Sequence, residues 1–552
     1  MVTAQGALGR GRKTVFLDRM WSYQEETRCR TRRDILAKSA MLGLAAPLAG
    51  SPLLLSAQEA AAPKVGGKAV VAMSAATETI DPHFSRSQAA RNVLMHMYET
   101  LVTIDESGAP QLQLAEKLDV SSDHRTYTFR LRKDVSFHNG KEMTSKDAKS
   151  SFERYARVSP EKSRLSMVDR ITTPDSRTMI VELKSSMPSW IELIKSPASP
   201  LTIIPSEECD KGPNEIKSIA TGPFQFVDWD GVTQLRIRRY DGYKPNATFK
   251  DRDGYGGKRT AYLDEVTFKV VTEAGARVGG VGTGEFTIAD DIPILAAARM
   301  KSNPQLRTYD RLPISMNVVP VNVRRAPTDK LLVRRAIQQI LNTEEIMGIA
   351  TDGLFRLNPS FVYPDSQYYP AKASGLVYNA HDSVRAKALL KEAGYKGEEL
   401  VILTSSDIPS LKEAAVVMAE QIKSIGIPVR LDVLDWPGAN AKRADPTAYN
   451  MFSTAYAIQP MLGPFQYQRL ISGDGNWFFY NEDKEMDNAW QRLLAAGTVD
   501  GGRNAWSDIE MRLNTQAYFL KLGDRGIKQV STSKLQNFRP YDAIRMWNVW
   551  LA

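Results

Sequence analysis

The chain has little cysteine, little histidine and no long uninterrupted apolar run, and each shortage closes off a class of explanation. Two of its 552 residues are cysteine, Cys29 and Cys209. Cys29 falls in an amino-terminal leader, so the mature chain keeps Cys209 alone and forms no internal disulfide. A chain of this length does not need one for stability. The five histidines, His83, His96, His124, His138 and His381, contain no HxxxH pair, and no cysteine lies near them. A zinc site therefore has no ligand set. There is no G-x-S-x-G elbow and no Walker-type loop. The glycine-rich run Gly275–Gly284 fails the G-x-G-x-x-G spacing at every starting glycine, with no GK[ST] after it. No metal and no cofactor is expected. With no nucleophile–base pair in view, a chain rich in Tyr and Trp suits binding better than catalysis.

Positive charge is present but uneven. The net charge is +9, and residues 1–57 hold nine Lys/Arg against four Asp/Glu, which leaves +4 on the remainder. An excess that weak and scattered is a solvated surface, and nucleic acid is not an expected partner. The leader itself reads as an address. Arg32-Arg33 is followed by Ile35-Leu36 and then by a mildly apolar stretch, Ala40–Ala57, broken by Gly43, Pro47, Gly50 and Pro52. A helix needs about 20 apolar residues to span a bilayer, so the stretch is expected to be a twin-arginine export signal and not an anchor. Cleavage is expected between Ala57 and Ala62, where small residues cluster. No cysteine follows for lipid attachment, and Met20 is the expected start.

At this length two or three domains are expected. Thr126–Arg132 alternates with period two and runs on to a turn at Asn139-Gly140, which predicts a strand and a hairpin. Glu399–Thr404 is a short apolar run. Leu411, Ala415, Met418, Ile422 and Ile425 fall at helical spacing before Gly426, and Val429, Leu431 and Val433 then alternate. Strand, helix and strand in that order predict a βαβ unit with parallel strands. Val384–Ala393 is a further helix stopped by Gly394, and the fold class is α/β.

Several blocks in collinear order from about residue 68 to 495 then stand out. They are Glu78–Pro82, Tyr98–Asp105, Leu114–Leu118, Tyr127–Gly140, Asp147–Phe152, Thr221–Phe224 with Arg239-Tyr240, Tyr262–Phe268, Gly284–Ala289 and Val333–Ile337. Together they resemble the family 5 extracellular solute-binding proteins, a group that includes dipeptide, oligopeptide, glutathione and nickel receptors. The resemblance implies a two-lobed periplasmic-binding-protein fold with a hinge and an additional inserted domain. Its layout places residues 64–105, 222–315 and 490–552 in one lobe, 106–221 in the insert and 316–489 in the other lobe. It implies capture of a small solute between the lobes, delivery to the permease subunits of an ABC transporter, a periplasmic location and a monomer. Alternatives are a secreted hydrolase, or a ligand sensor on the same fold. Most of the quoted blocks are expected to serve folding; Tyr127–Arg132 and Phe137–Gly140 should build the insert.

The departures from the family bear on the substrate. Where dipeptide receptors place an aspartate for the ligand's amino group, this chain has Ala457. The stretch that supplies their carboxylate-binding arginine, Thr404–Ser410, contains no basic residue. A buried ammonium without an anion costs on the order of several kcal/mol, so a dipeptide held by those two anchors is disfavoured. The positions that the resemblance brings to the cleft are Ser74–Thr77, Asn317 and Tyr456, with Trp436 and Trp477 near strand ends. Thr77, Asn317, Trp436, Tyr456 and Trp477 are the expected substrate contacts. Aromatic surface with a few polar groups would suit a peptide-like molecule, an opine, a sugar or another zwitterion.

Overall fold

Parallel pairing begins at the first strand, β1 (Lys68–Met73), which lies beside β2 (Glu265–Val270) along its whole length; β3 (Ile288–Ile292) pairs with its other edge, also in parallel. The computed structural model describes residues 62–85, 87–370, 373–456, 460–467, 471 and 482–552. The leader with Arg32 and Arg33, Ala457 and Trp477 lie outside them. Val71, Ala72 and Met73 are successive and all buried, as strands covered on both faces require. The antiparallel strands Gln234–Arg239 and Phe224–Trp229 continue the sheet beyond β2.

Two much longer strands, β4 (Leu306–Pro320) and β9 (Phe519–Thr532), run antiparallel out of this sheet and into a second one. Residues 306–311 pair with 527–532 next to β3. Residues 315–320 pair with 519–525 next to β8 (Thr454–Tyr456). Between the two halves, residues 312–314 stand opposite Gly526 alone, so the pair bends there. A Cβ on Gly526 would crowd Leu354, the Arg311 carbonyl and Leu312 at 3.0–3.1 Å, which suits glycine to the crossing.

The second sheet holds β5 (Leu400–Ser405) between β6 (Val429–Leu434) and β7 (Met451–Phe452), all parallel, and β7 leads through Ser453 into β8. The strand–helix–strand reading of 399–434 holds: helix α4 (Pro409–Lys423) links β5 to β6, and Gly426 turns the chain at φ +96°. The helix before Gly394 is likewise present, at Ser383–Glu392. Helices α3 (Thr343–Ala350) and α4 cover one face of this sheet with Ile346, Met347, Ala415, Met418 and Ile422. Helices α5 (Lys484–Leu494) and α6 (Val499–Thr515) cover the other face with Trp490 and Trp506.

Residues 115–183 form a separate four-stranded antiparallel sheet, Ala115–Val120, Thr126–Leu131, Thr178–Leu183 and Val168–Asp175, backed by helix α1 (Ser145–Val158). Tyr127, Phe129, Phe137, Phe152 and Trp190 fill its own core, and the Asn139-Gly140 turn forms with Gly140 at φ +84°. Arg154 on α1 fastens this unit to the segment after β1. Its guanidinium grips Asp81 at 2.5 and 3.0 Å, both groups being fully buried. His83 accepts from Arg154 at 3.2 Å and donates to the Thr202 carbonyl at 2.8 Å. Burial, with Arg154 adding to it, pushes His83 down to about 4, so it sits there neutral. The Gly275–Gly284 run forms helix α2 (Ala274–Thr283). A Cβ on Gly280 would strike the Phe286 ring at 2.2 Å, whereas one on Gly279 would meet nothing within 4 Å.

Candidate functional site

The register of the two long strands fixes which strand ends meet. Strand β3 runs antiparallel to β9, with Ile288 beside Ser531 and Ile292 beside Lys528, so its carboxyl end points toward the bend; β1 and β2 are parallel to it. Strand β8 runs antiparallel to β4, with Thr454 beside Val318 and Tyr456 beside Met316. It approaches the bend from the other side, and β5, β6 and β7 share its direction. The carboxyl edges of both parallel sets therefore face each other across the β4–β9 crossing. Carboxyl edges are where open α/β sheets bind ligands, because the loops there are free of the pleat. The facing loops are 74–77 and 291–293 on one side, and 405–410, 435–436 and 453–456 on the other.

The expected contacts divide between that gap and the packing beneath it. The Thr77 hydroxyl is spent on its own turn, donating to the Thr79 carbonyl at 2.6 Å. Trp436 opens a short helix behind its N-cap Asp435, donates its backbone N–H to Asp407 at 2.8 Å, and lies parallel to Phe452 with ring centres 6.4 Å apart. The Tyr456 ring packs on Phe519 at 5.9 Å, within the core under α5 and α6, and burial holds its hydroxyl well above the usual phenol range. Asn317 pairs with Ala455 and Gly523. Alternation along the strands puts it on the opposite face of the sheet from Tyr456. It is completely buried, and neither atom of its amide has a hydrogen-bond partner among the described residues. The buried Thr404 hydroxyl, at the end of β5, is also unpartnered among them. A buried amide in that state costs roughly 1–3 kcal/mol unless something supplies its hydrogen bonds.

One residue of this edge escaped the sequence reading. Arg525 stands on β9 opposite Ser315 and on the same face as Asn317, two residues beyond Gly523. Its Nη1 donates to the Ser410 hydroxyl at 3.2 Å, within the stretch 404–410 that has no basic residue of its own. Nε is buried without a partner, and no carboxylate pairs with the guanidinium among the described residues. Burial lowers its affinity for its proton, and Asp291 across the gap works against that. Ser410 and Arg525 are 115 residues apart in the chain, so spacing carried no signal of their meeting.

The other face of the second sheet holds a network of buried charges. Asp524 accepts from Arg356 at 3.2 Å and Asn358 at 3.1 Å and forms an ion pair with Lys521 at 2.7 Å. Glu510 accepts from the Ser360 hydroxyl and the Phe361 N–H, both at 2.7 Å, and burial raises it to about 7. Among the described residues no group of three or more His, Cys, Asp or Glu is placed to hold a metal ion, and no helix is long and apolar enough to cross a membrane.

Comparison with known proteins bears on what such a gap is for. Residues 109–478 match the family described as bacterial extracellular solute-binding proteins, family 5. A probable peptide ABC transporter periplasmic-binding protein of Sinorhizobium fredii is 26% identical over 94% of this chain and 99% of its own length. The glutathione-binding protein GsiB of Salmonella choleraesuis is 26% identical over 72% of this chain and 73% of its own. Among solved structures, the ABC transporter substrate-binding protein CtaP of Listeria monocytogenes superposes with a TM-score of 0.77 at 19% identity, covering 88% of this chain and all of that one. The two-lobed α/β fold expected from the sequence is thus the fold observed.

Proposed function

The chain belongs to the bacterial extracellular solute-binding proteins of family 5, and from that premise we propose that it captures a small solute between two lobes outside the cytoplasmic membrane and presents it to the permease of an ABC importer. One observation carries the reading: two sets of parallel strands aim their carboxyl ends at each other across a crossing made of β4 and β9. A solute held there touches both sides, and only contact that differs between open and closed states can drive closure. The named functions of the relatives, peptide transport and glutathione binding, support a peptide-like or zwitterionic solute. They also support a binding role without bond-making, a periplasmic location and work alongside permease subunits; a monomer is part of the proposal on the family resemblance alone. The twin-arginine leader remains part of the proposal.

The division into lobes is proposed at 311–315 and 525–527, where the long strands bend. The insert is fastened to the first lobe through Arg154. On this division residues 490–524 go with the second lobe, since α5 and α6 pack on its sheet. Thr77, Asn317, Trp436, Tyr456 and Trp477 stay as proposed substrate contacts, Asn317 first among them because its buried amide has no partner among the described residues. Small-angle scattering of the purified chain tests the reading. Any solute that raises the melting temperature should also shrink the radius of gyration; solutes that stabilise without compaction would sink it.

A further inference from the structure

The second lobe carries a cation whose surroundings leave it half used. We propose that Arg525 is a specificity-determining residue that receives a carboxylate of the bound solute on its Nε–Nη2 edge. This rests on the solute-binding reading and adds the chemical class of the ligand.

The argument compares arginines within this one molecule. Arg277 is buried, and it donates to the carbonyls of Asp290, Val271, Thr272 and Asp291 at 2.7–3.0 Å. Arg334 reaches the carbonyls of Gln516, Thr328 and Asp329 at 2.8–3.0 Å. Arg252 donates to those of Trp547, Asn548 and Asn537. Arg252 leaves its Nε without a partner, as Arg525 does, so an orphan Nε alone marks nothing; what the three share is at least three backbone carbonyls around each guanidinium. Arg525 is half-buried and has one neutral hydroxyl at 3.2 Å as its acceptor. A guanidinium so poorly supplied gains from an anion brought within reach.

The nitrogen already engaged, Nη1, decides the shape of what fits. Occupying Nη1 leaves Nε and Nη2 side by side, two parallel donors spaced for the two oxygens of a carboxylate. Ser410 sits in the first turn of the 15-residue helix α4, whose positive end adds to the attraction. Asn317, on the same face and without partners of its own, offers a donor and an acceptor to the polar group that follows the carboxylate.

The test pairs each acid with its neutral form. Glutathione and its diethyl ester, and the tetrapeptide Ser-Thr-Ser-Ala and its carboxamide, are titrated calorimetrically into the full chain beside uncharged sugars. The free acid should bind at least roughly 10-fold more tightly than its ester or amide, the range for a charge-assisted hydrogen bond. Arg525→Gln should lower affinity for the acid by roughly 10- to 100-fold and that for the neutral form by a smaller factor, so the preference for the acid falls. Acid and neutral forms binding alike in the unaltered chain would overturn the proposal without any variant having to fold. So would a folded Arg525→Gln chain that keeps its affinity for the acid. If sugars bind and compact the chain while acids do not, the capture reading stands and the carboxylate falls. If no member of the panel stabilises the chain, both fall.

Discussion

Two regions of this molecule bury polar groups of similar kind, and they do opposite things with them. At the junction of the insert with the first lobe, Arg154, Asp81 and His83 answer one another and the backbone around them; Asn214 and Gly212 complete the shell. At the crossing of the long strands, Asn317, Thr404 and the Nε of Arg525 are buried with no partner among the described residues. The first arrangement is complete as soon as the chain folds. The second is left incomplete by the described residues. Burial alone does not distinguish a structural charge from a functional one; the count of acceptors around it does.

The contrast can be broken most forcefully at the junction. Arg154→Met strands a fully buried carboxylate and should destabilise the chain by about 3–5 kcal/mol, read as a fall in the urea midpoint with no change in ligand selectivity of the protein that remains folded. Glu510 gives the next effect. Its carboxyl is raised to about 7 from an ordinary 4.5 by burial, so the folded chain holds that proton more tightly than the unfolded one. The stabilisation is complete below about 4.5 and is lost as the pH rises through about 7, an effect on the order of 3 kcal/mol at most. Relative to Glu510→Gln, which keeps the acceptor and cannot titrate, the unaltered chain should lose melting temperature steadily between pH 5 and pH 8. Lys521, lowered by burial, opposes this trend, and because its charge and that of Glu510 act on each other the difference curve reports the pair.

Asn317→Leu sharpens the comparison from the other side, with a reversed sign. Replacing an unpartnered buried amide by an apolar group of similar size should leave the empty chain as stable or more so by about 1 kcal/mol, while binding of any stabilising solute weakens. A loss of stability equal to that of Arg154→Met would place Asn317 among the structural polar groups. The smallest effect belongs to the glycine pair of α2. Gly279→Ala should gain about 0.5–1 kcal/mol from helix propensity, and Gly280→Ala should lose stability against Phe286. Thermal melts of the two single variants would separate them.

Much of the fold was legible because its signals are local. Thr126–Arg132 alternates, Gly426 ends a helix with apolar residues at helical spacing, and Gly140 turns a hairpin; each needs only its neighbours. The blocks shared with the family extended that reading to the whole two-lobed plan. The candidate site was legible only in part. Asn317 lies at the facing edge, and Tyr456 and Trp436 rest on Phe519 and Phe452; a large aromatic gives the same sequence signal under a cleft as inside it. Gly280 is accounted for by the Phe286 ring lying against it, a contact between residues of different elements, and Gly279 has no such neighbour. Arg525 was out of reach for a further reason: its neighbour Ser410 belongs to another element, and a stretch empty of basic residues is supplied with one from the far end of the chain.

The bend in β4 and β9 has a mechanical corollary. A group close to an axis of rotation travels a short arc, whereas one at the rim sweeps a long one. Arg525 adjoins Gly526 at the proposed pivot, so on the proposed reading its environment changes little between an open and a shut molecule. It can register the charge of an incoming solute before the rims have swung together. Loops such as 74–77 and 435–436 arrive later and test the solute's outline. Sign is read first, and size second.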